Sequence, residues 1–163
     1  MELKNEILSI LEKNAKARTE DLAQELGVSE DDIIVAIGEL EADRVICGYN
    51  AIINWDKVSA EKVAALIEVR CAPQRGVGFD RLGARIANFE EVDSVYLLSG
   101  GYDFLVRIKA RSMKEVSQFV FEKLSTLESV QGTATHFILK KYKDHGVLME
   151  ERPGKKSRSN VVL

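Results

Sequence analysis

The sequence predicts an α+β protein with an N-terminal winged helix-turn-helix followed by a ferredoxin-like βαββαβ domain. Three observations lead to this prediction: helical spacing of apolar residues over 3–42, alternation of strand and helix patterns over 62–142, and a change of charge between the two parts. Residues 1–52 hold 12 Asp/Glu and five Lys/Arg, which gives a net charge of −7. Residues 53–163 hold 14 Asp/Glu and 18 Lys/Arg, which gives a net charge of +4. The two parts are therefore expected to be electrostatically different domains.

The composition is that of an ordinary globular protein, with 45% apolar and 30% charged residues in a chain of 163. No apolar run approaches the roughly 18 to 20 residues that span a bilayer, and the N-terminus lacks an apolar signal core. We therefore expect a cytoplasmic protein with no membrane partner. Cys47, Cys71, His136 and His145 have no metal-ligand spacing, so we expect two buried thiols, no structural metal and no cofactor.

Three helices are predicted in the N-terminal domain. The first carries apolar residues over 3–11, the second begins with Thr19 as its N-cap and stops at Gly27, and the third is capped by Ser29. The segment "VICGYNAIINW" then favours a two-stranded wing. We place this domain at residues 1–54 and a linker at 55–61.

The second domain is predicted at residues 62–142, with a C-terminal extension and polar tail at 143–163. Its strands are 62–71, "VDSVYLLS", "YDFLVRIKA" and "VQGTATHFILKKYK", and "PQRGVG" is a loop. Gly100-Gly101 favours a two-residue type I′ hairpin turn. One helix is marked by Phe79, Leu82, Ile86 and Phe89, and the other opens with a capping box formed by Ser112 and Glu115.

A βαββαβ domain carries both helices on one face of its antiparallel sheet and leaves the other face open. The first strand is apolar on both faces, with Ala64 and Leu66 opposite the side that bears Val63, Ala65, Ile67 and Val69. Because an exposed apolar face favours self-association, we expect a second copy to cover it.

Acidic residues dominate the third helix, which otherwise has the position of a helix that approaches DNA. Glu30, Asp31 and Asp32 lie in its first turn, where the helix dipole favours anions. These acids therefore suit the start of a helix whatever surface it later contacts.

Taken together, "ARTEDLAQELGVS", "ELEADRVICGYN", "VYLLSGGYDFLVRI" and "TATHFILKKY" make the chain resemble the Lrp/AsnC (feast/famine) transcription regulators over nearly its whole length. The resemblance implies an ACT-like, or RAM, sensing domain that pairs into homodimers, commonly assembled further into tetramers or octamers. It also implies binding of an amino acid or related effector and effector-tuned binding of double-stranded operator DNA.

The sequence departs from this family in the third helix. Typical members carry arginines there, whereas this chain has Val35, Ala36 and Gly38 at the matching positions. Arg18 and Arg44 are either DNA contacts or solvated surface charges, and Ser29 is better explained as a plain N-cap than as a DNA contact. The residues expected to face DNA are Lys16, Arg18, Ser29, Asp31, Ile34, Val35 and Arg44.

The effector site is expected at "SGGYD". Backbone N–H groups of Gly100 and Gly101 would bind a carboxylate, and Asp103 would bind an ammonium group. Tyr102 belongs to the same turn, and Thr133 and Thr135 are expected to line the region, although threonine is also common strand material. Without the resemblance, the segment is simply a hairpin turn.

Two other functions are weighed against regulation. An enzyme built on His136, Asp103, Tyr102 and the cysteines has no nucleophile elbow, phosphate loop or metal spacing to support it. Relatives reported to be decarboxylases of modified tetrapyrroles are expected to use additional histidines and arginines, and this chain has two histidines. The remaining alternative is an amino-acid sensor or interaction module with weak or lost DNA binding, which the charge of the N-terminal part favours.

Overall fold

The computed structural model describes residues 2–58, 62–72 and 78–150. The chain divides after Ile52 into two compact units, one of helices and one built on a four-stranded sheet. None of the described helices is long and apolar enough to cross a membrane. The predicted loop "PQRGVG" and the polar tail from residue 151 lie, apart from Gly78, outside the described residues.

The N-terminal unit consists of three helices: α1 at Glu2–Leu11, α2 at Thr19–Leu26 and α3 at Glu30–Ala42. Its core is formed by the predicted apolar faces. The buried side chains are Ile7, Leu11, Leu22, Ala23, Ile33, Ala36 and Leu40.

The turn between α2 and α3 is fixed by the residues at the two helix ends. Gly27 has φ +68°, the left-handed conformation that glycine adopts without strain, and its N–H donates to Ala23 O. Ser29 forms a capping box with Asp32, so the predicted N-cap of α3 is confirmed. The N-cap of α2 is Arg18 rather than Thr19, whose hydroxyl instead donates to the Glu30 carboxylate in the first turn of α3.

The prediction of a two-stranded wing was wrong, because residues 45–54 contain no strand. An isolated hairpin is marginally stable without a surface to pack on, and Val45, Tyr49 and Ile52 are all exposed. The expectation that both thiols are buried is also wrong, because the segment that contains Cys47 forms no strand. Cys47 lies in this extended segment and is exposed, whereas Cys71 is buried in the sheet.

The C-terminal unit has the predicted βαββαβ order. Its four strands are antiparallel; the first lies between the third and the fourth, and the second lies at the edge beside the third. Ser112 caps the second helix of this unit as predicted, but the Glu115 carboxylate accepts from Arg111 N–H rather than from the cap residue. The elements are β1 Val63–Cys71, α4 Gly78–Ala87, β2 Val92–Leu97, β3 Phe104–Ala110, α5 Met113–Gln118 continued by a π-helical segment Phe119–Leu124, and β4 Val130–Phe137.

One face of the sheet packs on α4, α5 and the π-helical segment. Ala65, Ile67 and Val69 of β1 are completely buried there, together with Val106 and Ile108 of β3. Close packing extends to Gly83 of α4, where a Cβ would lie 3.2 Å from the ring of Phe104. This face is the hydrophobic core of the unit.

The helix-free face of the sheet is more polar than the sequence predicts. Side-chain alternation and the strand register put apolar Leu66, Leu105 and Tyr96 on it. The same alternation puts charged and polar side chains beside them, namely Glu68, Arg70, Arg107, Lys109 and His136. His136 Nε2 lies 3.3 Å from Glu68 Oε1. The apolar area on this face is therefore concentrated in its middle.

The predicted last strand ends at Phe137, and a small hairpin follows, with β5 at Lys143–Asp144 and β6 at Val147–Leu148. Two contacts anchor it in the unit: Asn54 Nδ2 donates to Met149 O at 2.7 Å, and Arg107 Nη1 lies 4.0 Å from Asp144 Oδ1. Met149 is buried. Residues 143–149 are thus tied to the sheet by charge and to the segment before it by a hydrogen bond.

Candidate nucleic-acid interface and effector site

The loop between β2 and β3 differs from the predicted type I′ turn. Leu97 and Phe104 form the last strand pair, and Leu98 N–H donates to Asp103 O at 2.8 Å, so the connection is wider than two residues. Gly100 has an extended φ of 159°, and Gly101 has no positive φ. A type I′ turn needs left-handed conformations at both positions, so the two glycines do not form one here.

Asp103 links this loop to the end of β1. Its N–H donates to Val69 O at 2.9 Å, and its carboxylate Oδ2 accepts from Cys71 N–H at 2.7 Å. The sequence predicts a turn carboxylate at Asp103, whereas the structure gives this residue a part in extending the β1–β3 ladder. A carboxylate has about four acceptor sites, so this bond leaves Oδ1 with capacity for another donor. Burial and, secondarily, the Asp103 charge raise the pKa of the Cys71 thiol to about 11.

Arg70 is a neighbour of this loop that sequence reasoning missed. Its Nε donates to Gly101 O at 3.0 Å, which brings a guanidinium to the same loop as the Asp103 carboxylate. Arg70 lies some thirty residues before the loop, and only the β1–β3 register brings them together. Arg70 could have been found from the sequence only by assigning the β1–β3 register from the strand pattern.

Thr133 and Thr135 lie on β4, the other neighbour of β1. Thr133 pairs with Val69, whose carbonyl also accepts the Asp103 N–H, and Thr135 pairs with Ile67 one step farther from the loop. Thr133 is half-buried and Thr135 is exposed, while Tyr102 in the loop is half-buried. Residues directly opposite each other in a ladder share a face, so Thr133 and Thr135 lie on the helix-covered face with Val69 and Ile67. Arg70, which contacts the loop, lies on the helix-free face, so the two threonines face the other side of the sheet.

The predicted DNA-facing residues of α3 lie on its outer surface. Asp31, Ile34 and Val35 are exposed. Ala36, at a position where the family resemblance implies arginine, is buried in the core and faces the opposite way. Ser29 is engaged in capping: its hydroxyl accepts from Asp32 N–H and lies 2.6 Å from Asp32 Oδ2.

Two cations of the N-terminal unit, Arg18 and Lys4, are paired with carboxylates. Arg18 pairs with Glu20 at 2.7 Å and with Asp21 at 3.1 Å, and Lys4 pairs with Glu39 at 2.8 Å. Lys16 and Arg44 are exposed, and Arg44 follows α3 with a left-handed φ of 58°. A phosphate contact by the guanidinium of Arg18 would therefore require it to leave these two carboxylates.

A cavity lies at the opposite end of β1 from Asp103, and nothing in the sequence predicted it. Trp55, Val63, Ile138 and Met149 contribute apolar walls, and lysines surround them. Lys62 Nζ lies 3.3 Å from the centre of the Trp55 ring. The other lysines pair with carboxylates, Lys109 with Asp93, Lys140 with Glu150 and Lys141 with Asp144. Their charges are thus compensated by groups of the same unit.

Comparison with known proteins gives a family for both units. The model of the Lrp/AsnC ligand binding domain matches residues 64–148. The uncharacterized HTH-type transcriptional regulator YugG of Bacillus subtilis is 49% identical over 150 residues, which cover 91% of this chain and 90% of that protein. The leucine-responsive regulatory protein of Haemophilus influenzae is 27% identical over 143 residues, which cover 88% of this chain and 86% of that protein.

Solved structures support the same fold. The leucine response regulatory protein (LrpA) of Mycobacterium tuberculosis aligns with a TM-score of 0.74 at 20% identity, covering 92% of this chain and 99% of that one. A transcriptional regulator of Neisseria meningitidis, NMB0573, solved as an L-Met complex, aligns with a TM-score of 0.67 at 23% identity over 88% and 92% of the two chains. From the matched domain and the close relative together, the chain belongs to the Lrp/AsnC family of transcriptional regulators.

Proposed function

We propose that this chain is a sequence-specific DNA-binding regulator that binds an amino acid or related small molecule at the loop between β2 and β3. The observation that carries the proposal is the presence in one chain of a helix-turn-helix, α2 and α3, and of a domain matched by the Lrp/AsnC ligand binding domain. Its relatives are named as transcriptional regulators, which favours a role other than catalysis.

The chemistry of the loop suits a free α-amino acid. The ammonium group is bound by Asp103 Oδ1, while Oδ2 stays on Cys71 N–H. The carboxylate is bound by the Arg70 guanidinium, which presents a fork of N–H donors, and by backbone N–H groups of Gly100 and Gly101. Tyr102 is proposed to contact the side chain of the amino acid, whereas Thr133 and Thr135 lie on the other face of the sheet and are given no contact with it.

Binding to duplex DNA is proposed to be weak for a single chain. Phosphate contacts supply most of the affinity for DNA, and α3 contains no lysine or arginine. A homodimer formed through the C-terminal units, or a tetramer or octamer of such dimers, holds several DNA-binding units together. Linked binding events raise the overall affinity without any new contact.

The proposal is tested by titrating the purified chain with the proteinogenic amino acids in a calorimeter and measuring retention of duplex DNA with and without the amino acid that binds. We expect at least one amino acid to bind and to change the retention. If an amino acid binds but no duplex is retained at low salt, the DNA-binding part of the proposal is contradicted and only the amino-acid sensor is supported.

A variant of α3 tests whether this helix approaches DNA. Gly38 is exposed and a Cβ there meets no atom within 4 Å, so Gly38→Arg places a cation on the outer face without disturbing the core. Each added phosphate contact steepens the dependence of log affinity on log salt by about 0.9. Gly38→Gln is the matched control, and equal slopes in both variants would place α3 away from DNA.

A second candidate function is an amino-acid sensor that no longer binds DNA. The observation that favours it is the charge of the N-terminal unit, in which Arg18 and Lys4 are already paired with carboxylates. Retention of duplex DNA at low salt separates the two functions, because a sensor with a net charge of −7 on this unit is expected to show none.

A further inference from the structure

The outer face of α3 carries two adjacent branched apolar side chains, Ile34 and Val35. They are 51% and 59% exposed, although the other face of the same helix already supplies Ile33, Ala36 and Leu40 to the core. Single exposed apolar residues are common on protein surfaces. This pair instead lies in the first half of the second helix of a helix-turn-helix, the part that contacts base edges when such a unit binds DNA.

The hydrogen-bonding side chains of α3 limit which DNA bases this helix can recognise. In "EDDIIVAIGELEA" every polar side chain is a carboxylate, which accepts hydrogen bonds and donates none when ionised. Guanine presents only acceptors, N7 and O6, in the major groove, so this helix has no side chain that binds its edge. Thymine presents a 5-methyl group, which pairs with apolar side chains, and cytosine presents an amino donor that a carboxylate accepts.

We propose that Ile34 and Val35 recognise thymine 5-methyl groups in the major groove, so that the preferred operators are defined by thymines rather than by guanines at the positions facing α3. This inference rests on the proposed function, since it requires α3 to enter the groove. Asp31, one turn before these residues and exposed, is placed to accept from a cytosine amino group on the same face.

A protein partner is a poorer occupant of this surface. Stable protein interfaces bury roughly 800 Å² on each partner, and two side chains ringed by Asp31, Glu39 and other acids offer a small fraction of that area. A thymine methyl needs contact with only one or two apolar side chains. With few cations available for phosphates, such base contacts carry an unusually large share of the binding free energy.

The test uses the full chain and removes the methyl groups from the DNA. Duplexes retained from a random pool at low salt are enriched, identified and resynthesised with deoxyuridine in place of thymine, one position at a time. Removal of one buried methyl-sized group corresponds to a loss of about four-fold in affinity. We expect a loss of this size at one or two positions in each half-site and none elsewhere.

Protein variants separate methyl contact from altered DNA shape. In Ile34→Ser with Val35→Ser the uracil duplex is expected to bind as well as the thymine duplex at every position, because both apolar partners are gone. In the single variant Val35→Ser only the loss at the thymine that Val35 contacts is expected to disappear, because Ile34 is still present. Val45→Ser is the control, since Val45 is 55% exposed but lies outside α3, and its methyl dependence should equal that of the parent.

The possible outcomes are distinct. If no duplex is enriched, the proposed function fails and the inference with it. If duplexes are enriched but uracil binds as well as thymine, or if the serine variants keep the full loss, the inference alone is overturned.

Discussion

At the scale of single residues, Asp103 shows how one side chain serves the fold and the candidate site together. One carboxylate oxygen extends the β1–β3 ladder by accepting from Cys71 N–H, and we propose the other as the partner of the ligand. The effects of removing its charge and its oxygen can therefore be measured separately.

We predict that Asp103→Asn weakens amino-acid binding on the order of 30-fold, because a partly desolvated ammonium group loses its counter-charge. The amide oxygen still accepts from Cys71 N–H, so the melting temperature is expected to stay near that of the parent. Calorimetric titration and thermal unfolding measure the two quantities.

Asp103→Ala is the matched comparison. It also removes the acceptor, so we expect the same loss of binding together with about 1 kcal/mol of destabilisation. Unchanged affinity in both variants would move the effector site away from the loop.

A second residue-scale prediction concerns Asp144, which ties the β5–β6 hairpin to the unit. The hydrogen bond from Lys141 lowers the pKa of Asp144 below its ordinary value, and Arg107 acts in the same direction. Because the folded pKa is depressed, this stabilisation is present above the ordinary carboxyl pKa near 4 and is lost as pH falls through the depressed value.

Asp144→Asn is accordingly expected to destabilise the chain by about 0.5–1 kcal/mol at pH 7 and by progressively less below about pH 4. Thermal unfolding from pH 7 to pH 3 measures the difference, and Glu128→Gln, at an exposed carboxylate of the same unit, is the control. A difference that stays constant down to pH 3 would contradict the ion-pair explanation.

At the scale of elements, local chemistry predicted most of the fold. The helices, their caps at Ser29 and Ser112, and the order of the strands follow from apolar spacing and capping residues, which act within a few positions of the chain. Features that depend on distant pairing were missed. The β1–β3 register decides that Arg70 and Asp103 meet, and the same pairing replaces the type I′ turn expected of Gly100-Gly101 by a wider loop.

The predicted wing shows that local composition can also predict strands that do not form. Its apolar, strand-like composition satisfies every local criterion, yet strands need partners for their backbone groups, and residues 45–54 form no ladder. Sequence pattern alone cannot supply the surface on which a strand pairs.

The capping box of α3 gives a prediction at this scale. Ser29→Ala removes an acceptor for Asp32 N–H and is expected to cost about 1 kcal/mol, which accelerates amide hydrogen exchange in the first turns of α3 about five-fold. Ser29→Asn keeps an equally good cap and a donor toward the Asp32 carboxylate, so it should restore protection. If the asparagine variant exchanges as fast as the alanine variant, the cap is not what holds this helix end.

At the scale of the whole molecule, the helix-free face of the sheet is the surface that we expect to determine assembly. Leu66 and Leu105 lie half-buried in its middle, and Tyr96 beside them on β2 is 52% exposed. Charged residues border this apolar centre, as they do at the rim of many protein interfaces. A second copy that lays the same face against it buries the apolar centre and lets the border charges pair across a two-fold axis.

We predict that the full chain is at least dimeric at micromolar concentration and that Tyr96→Glu shifts it toward monomer, because a carboxylate in the apolar centre of the interface is buried without a partner. Tyr96 is half exposed within one chain, so the substitution should leave the fold intact. Phe121→Glu is the control: Phe121 is 79% exposed but lies on the helix layer, on the other side of the sheet, and its loss should not change assembly. Sedimentation velocity of the three proteins measures the mass, and a parent that sediments as a monomer would show that the open face is stable in water without a second copy.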